Sequence, residues 1–378
     1  MTAREAMAAS YRREKPARTP ISPEIWTSTV LEYSGLPFHK LYGPFAEADY
    51  NSIWLAAQKS FGFDAWLLAD LDKPQADGSY ELKSNSYFLD DETIETTQSV
   101  ETRSGRLDWV TRTNDVYEGW GYRNPVKDFE KDIAAYAEYS LADPTGYGFG
   151  SLGKLIRDAG EDALVSGYIG GLFINWLASG REGDIAATLL DLADYEDEIS
   201  SLYKTYTEYI LRKIKRLADT PGIENLCLLN GYSSAELVGP RLYEKWEKPL
   251  LEAAAAEVKR HGLTLHLHQH GKCLGVIDMI ANSGVDLVDS LERPSAGGDV
   301  GDIRALAEKY GDRIAFKGNM DPATLCYGSK ADIERETREI VEASKNARGF
   351  IIGTGDSVLE GTPFKNLELF YTLANKYL

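Results

Sequence analysis

The 378-residue sequence holds only three cysteines and five histidines. Cys227, Cys273 and Cys326 are too few and too scattered for a disulfide framework, which suits a reducing compartment. No run approaches the roughly 18 apolar residues that cross a bilayer. The first residues, MTAREAMAASYRREKPARTP, are charged and lack the apolar centre of a signal peptide. A cytoplasmic protein is the expectation. Positive charge is also short: 41 Lys and Arg stand against 59 Asp and Glu, a formal charge of −18. Such a surface repels phosphate backbones and anionic head groups, so nucleic acid and membranes are not expected partners. A G-x-G-x-x-G fingerprint is missing as well. Gly318-Asn-Met-Asp-Pro322 and Gly353-Thr-Gly355 do not fit it, so nucleotide binding has no support.

What is present is a core. Hydrophobic residues make up 43% of the chain and charged residues 26%, the profile of a globular enzyme-sized protein. Residues 1–125 read as an irregular N-terminal extension integrated with the rest. They comprise a short helix, a linker to Pro20, a helix over 46–60 and a buried strand near Trp66. Short antiparallel strands follow over 80–88, 93–102 and 107–113. From 126 to 378 apolar runs alternate with helical patterns. The runs are 163–170, 224–232, 264–270, 285–292, 314–319 and 349–353; one continuous helix is predicted over 184–218. Strand–helix alternation predicts an α/β fold with a parallel sheet, and a (β/α)8 TIM-type barrel with an N-terminal extension fits the spacing. Seven of the eight strands can be placed. An open doubly wound sheet is the alternative.

The segment Leu263-Thr-Leu-His-Leu-His-Gln-His-Gly271 carries three of the five histidines. Side chains on a strand alternate with period two, so His266, His268 and His270 share one face. Imidazole is the commonest ligand for a borderline cation, and His268 and His270 lie nearest the C-terminal strand end where parallel-sheet enzymes place their sites. His266 is deeper and reads as core or supporting. A catalytic metal needs further ligands, and other strand ends offer Asp289, Glu292, Asn319, Asp321 and Asp356. A lone carboxylate at a strand end is more often a helix cap, a reading that suits Asp321 before Pro322. Cys273 reads as the start of the next helix. Phe173 and Trp176 read as core, whereas Tyr168, Asn230, Tyr232 and Asn319 lie where they could line a substrate pocket.

Three motifs in order resemble the uroporphyrinogen decarboxylase superfamily, and within it the cobalamin-dependent methyltransferases. His268-Gln-His270-Gly271 looks like the family's His-x-Cys-Gly metal motif. Lys317-Gly-Asn-Met-Asp-Pro322 is similar to its Gly-Asn-x-Asp-Pro. Gly349-Phe-Ile-Ile-Gly-Thr-Gly-Asp-Ser357, with Thr362-Pro363 and Asn366-Leu367, resembles its closing strand, loop and helix. The resemblance covers about residues 160–378. The decarboxylases carry an arginine-rich N-terminal motif; here Ile21-Ser-Pro-Glu-Ile-Trp26 follows Pro20 instead. The methyltransferase resemblance implies zinc, with His270 standing at the first thiolate position and Asp356 or a neighbour at the second.

Nitrogen and oxygen ligands leave more positive charge on a metal than thiolates do, which favours Lewis acidity. The expected function is therefore a zinc-dependent methyltransferase with the ligand set His268, His270, Asp356 and Glu292. It would move a methyl group from a methylated small molecule, a methoxylated aromatic in the first instance, to the Co(I) of a corrinoid (cobalamin) on a separate partner protein. A decarboxylase-like lyase and a metal-dependent hydrolase are the alternatives.

Overall fold

The computed structural model describes residues 1–78 and 80–378. Its strands are β1 (Ala65–Ala69), β2 (Glu81–Phe88), β3 (Ile94–Thr102), β4 (Gly105–Thr113), β5 (Trp120–Arg123), β6 (Ala163–Gly171), β7 (Asn225–Asn230), β8 (Thr264–Gln269), β9 (Leu287–Ser290), β10 (Ala315–Met320) and β11 (Phe350–Thr354). β2 to β5 form an antiparallel meander. The other seven form one parallel sheet in the order β1-β6-β7-β8-β9-β10-β11. The expected strands all appear within a few residues of their predicted ends, and β5 is an addition. The strand β1 lies before residue 126 but pairs with β6.

The sheet curls until its two edges are bridged through Ile21. On one side Ile21 pairs with Ile352 of β11, where Ser22 N donates to Ile352 O and Ile352 N to Pro20 O. On the other, Asp64 N donates to Ile21 O, and Ile21 N donates back to the Asp64 carboxylate. The sequence predicts an eight-stranded barrel; among the described residues seven strands and this one bridging residue are found. The reason is local. Pro20 and Pro23 have no N–H to offer, so a ladder cannot grow through this segment. At Gly353 a Cβ would lie 2.8 Å from Ser22 O, so a side chain there would push the segment away.

The N-terminal helix Ala3–Tyr11 starts with a capping box between Thr2 and Glu5 and buries Ala6 to Tyr11. Met7, Ala8 and Tyr11 pack with Trp66, Leu164, Cys227, Leu287, Ala315 and Ile351, which lie in the first halves of their strands. The helix thus floors the concave side of the sheet at the end opposite the rim. The helix predicted as continuous over 184–218 is two, Asp184–Asp194 and Glu196–Ala218. They break at Tyr195, whose backbone leaves helical values and whose ring stacks on Phe129 at 4.6 Å. Glu247 is wholly buried and caps another helix, Phe173–Gly180, from a distance: it accepts from Phe173 N at 2.8 Å and Ile174 N at 3.0 Å.

Two outcomes follow from this packing. Met7→Ala removes a fully buried side chain from the floor and should lower unfolding free energy by about 2–4 kcal/mol in urea titrations. Burial pushes the Glu247 carboxyl up to about 7, against the hydrogen bonds that favour its charged form. A folded-state value above the unfolded one contributes stability below about pH 4.5 that is lost as pH rises through 7. Between pH 6 and 8 the wild-type melting temperature should therefore fall further than that of Glu247→Gln.

Candidate metal and active site

Strand β8 sets the site. His266 and His268 point to the concave face, and His270 follows just past the strand end. The parallel register puts His266 beside Cys227 and Leu287, and His268 beside Leu229 and Asp289. Every imidazole meets a carboxylate. At the deepest level Tyr11 Oη lies 3.0 Å from His266 Nδ1. His266 Nε2 lies 2.8 Å from Asp289 Oδ1, off the hydrogen-bonding line and with no partner of its own. The same Oδ1 lies 2.7 Å from His268 Nδ1, and Lys317 Nζ donates to Asp289 Oδ2 at 2.9 Å. Asp289 and Lys317 are 0% and 1% exposed. Burial alone would raise the Asp289 carboxyl; His266, Lys317 and His268 outweigh it and hold it well below the usual range. Burial lowers His266 against the attraction of Asp289.

One level up, His270 Nδ1 lies 2.6 Å from Glu292 Oε1, and Gly271 N donates to Glu292 Oε2 at 2.7 Å. Burial would lower His270, but the Glu292 hydrogen bond and the charges of Glu24, Asp356 and Glu292 carry it to about 9. Burial raises the Asp356 carboxyl, helped by Glu24 and Glu292 and opposed by His270. Ser290 and Leu291 both adopt left-handed backbone, with φ of 67° and 51°. This uncommon pair ends β9 and turns the chain so that Glu292 reaches His270. Asn319 holds that turn: its Nδ2 donates to Leu291 O and Val300 O, while its Oδ1 is buried without a partner.

The four residues expected as metal ligands fall into two adjacent groups. His270, Glu292 and Asp356 bring donor atoms within 4.8 Å of one another, and His266, His268 and Asp289 do the same below them. The two groups touch, since the His268 and His270 rings are 4.4 Å apart. Nitrogen and oxygen donors at these separations fit a divalent cation such as zinc. Glu24, which lies beside His268 and outside both groups, was not singled out by any sequence motif. It is 3% exposed, its Oε1 lies 3.8 Å from His268 Nε2, and its Oε2 is buried without a partner.

The pocket residues read from the sequence are placed differently. Asn230 is internally engaged, donating to Ser233 O and Gln269 Oε1 and accepting from Ser233 N. Tyr168 is half-buried, with Lys213 Nζ 5.1 Å from its ring, and that ammonium lies 2.8 Å from Asp70. Tyr232 is half-buried on the loop after β7. Cys273 lies before the next helix, and burial pushes its thiol up to about 12, so it stays protonated. Asp321 caps its helix by accepting from Ala323 N. Phe173 and Trp176 are core.

Residues 122–377 match the family model for uroporphyrinogen decarboxylase (URO-D). The chain belongs to the URO-D family. It is 26% identical over 224 residues to a uroporphyrinogen decarboxylase of Synechococcus sp., covering 58% of this chain and 60% of that protein. It is also 24% identical over 260 residues to the methylcobamide:CoM methyltransferase MtbA of Methanosarcina mazei, covering 68% of this chain and 70% of that one. The chain thus spans about 60% of the length of the first of these relatives. A solved methyltransferase from Methanosarcina mazei shares the fold at a TM-score of 0.67 and 15% identity, with 100% of this chain and 99% of that chain covered. No helix among the described residues is long and apolar enough to cross a membrane.

The buried charge network yields a stability test. Lys317→Met leaves Asp289 in the interior without its cation, which should cost about 3–5 kcal/mol. Replacing Asp289 and Lys317 together with Asn and Met should cost less than the sum of the single changes, measured by chemical denaturation as a double-mutant cycle.

Proposed function

We propose that this URO-D family protein is a methyltransferase that moves a methyl group from a methylated small molecule, a methoxylated aromatic in the first instance, to the cobalt of a corrinoid on a partner protein. The observation that carries the reading is the convergence of His268 and His270 with rim carboxylates at the strand ends, in a chain related to MtbA. A zinc ion bound by these imidazoles and Asp356 would supply Lewis acidity for an oxygen leaving group. The protein's own part is to hold those donors rigidly. Asp289 and Glu292 fix the His268 and His270 rings through Nδ1, and the helix floor beneath His266 keeps water from the deep end. His270 is raised to about 9 with nothing bound, so it would have to give up its Nε2 proton, keeping the one on Nδ1 toward Glu292, for a cation to be held there.

A decarboxylase is the second reading, favoured by relatives of that name. Against it, Glu24, Glu292 and Asp356 give this rim negative charge, which repels a substrate bearing several carboxylates. The test is to mix zinc-loaded protein with cob(I)alamin and a panel of methoxylated aromatics and follow methyl-cobalt absorbance. Methyl-cobalt should form with at least one donor and be lost in His270→Ala, whose metal content should also fall. Carbon dioxide release from a carboxylated substrate, with no methyl-cobalt from any donor, would establish the decarboxylase instead.

A further inference from the structure

The segment that bridges the two sheet edges also carries a carboxylate into the site. Glu24 follows the Ile21 bridge by three residues and is pinned by its backbone. Its N–H donates to Thr354 Oγ1 at 2.9 Å, and its carbonyl accepts from Val358 N at 2.9 Å. The side chain is therefore aimed, not free to swing out. Oε1 accepts from Trp26 Nε1 and from Ser357 Oγ at 3.1 Å. The other oxygen, Oε2, is buried with no donor. A carboxylate oxygen is an acceptor of high demand, and buried polar atoms are rarely left without a partner.

The neighbouring imidazoles offer that oxygen no donor. His268 Nδ1 faces Asp289 and His270 Nδ1 faces Glu292, at 2.7 and 2.6 Å. A proton on each Nδ1, donated to its carboxylate, leaves both Nε2 lone pairs available. His268 Nε2 lies on the Glu24 side, 3.8 Å from Oε1. Both oxygens of Glu292 are already engaged, by His270 and by Gly271 N–H.

We infer that Glu24 is itself a ligand of the cation, through Oε2, together with His268 Nε2, His270 Nε2 and Asp356, and that Glu292 stands behind His270 as its orienting partner rather than on the metal. The inference rests on the cation-site reading above but not on the methyl-transfer reading. It makes the N-terminal segment a part of the active site and gives an N/O site a second carboxylate where Glu292 would otherwise be needed.

Metal binding tests it without turnover. Apo-protein is titrated with Zn2+ against a chromophoric chelator, and separately with Co2+ while its visible ligand-field spectrum is recorded. Wild type should take up one cation per chain. Glu24→Gln, nearly isosteric and still able to accept from Trp26, should bind Zn2+ more than ~100-fold more weakly and shift the Co2+ spectrum. Glu292→Gln should weaken binding by about 10–100-fold, as loss of an orienting partner does, and leave the spectrum unchanged. Circular dichroism and melting temperature report folding; if Glu24→Gln unfolds, Glu24→Asp takes its place, with the same spectral shift expected. Wild-type affinity and spectrum in the folded Glu24 variant, or no cation uptake by wild type, overturns the inference. Tight binding that needs Glu24 but supports no methyl transfer leaves it standing and overturns the proposed reaction alone.

Discussion

Asp289 is the residue around which the interior is arranged. A carboxylate removed from water must be paired, and this one is shared by His266, His268 and Lys317. That single demand draws three strands together. β8 supplies the imidazoles, β9 the carboxylate and β10 the ammonium, each at an inward position of its strand. Lys317 also lies 4.7 Å from the Trp66 ring, which ties β1 to the same centre. The rim repeats the pattern with His270 and Glu292, half-open where the inner level is closed. Two levels of the same pairing thus lie one above the other: the lower is sealed by the Lys317 ammonium, and the upper keeps His270 partly exposed.

Much of this could be read from residues alone because it is written in short-range pattern. Period-two alternation over Leu265–His270 fixes which histidines share a face, and apolar runs ending in Gly, Asp or Asn fix the strands. The capping residue Asp321 announces its helix directly. What stayed hidden depends on distant contact or on backbone shape. Nothing near Tyr195 marks a break, because the break is set by packing against Phe129. The four residues of β5 contain a glycine and are too short to declare a period. Asn230 looks like a pocket residue by position, yet its amide is taken by the turn beneath it.

Glu24 was the hardest to see. It sits in a proline-flanked stretch that differs from the decarboxylase pattern, and its partners Thr354, Ser357 and Val358 are more than 300 positions away. The same is true of the metal-ligand grouping. From spacing alone, His268 and Glu292 were equal members of one set; the register gives His268 to Asp289 and gives Glu292 both His270 and Gly271.

The seam at Ile21 bears on how the chain reaches this state. Ile21 hydrogen-bonds to Asp64, 43 residues on, and is bridged to Ile352, over 300 residues on, through the flanking Pro20 and Ser22. Contacts of such long range form late, because loop closure must be met before they return anything. During synthesis the floor helix and Glu24 precede β11 by over 300 residues, and neither is fully enclosed before that strand is in place. Until then the apolar face of Ala6–Tyr11 is without Ile351, so it stays partly uncovered until a strand over 300 residues further along has paired.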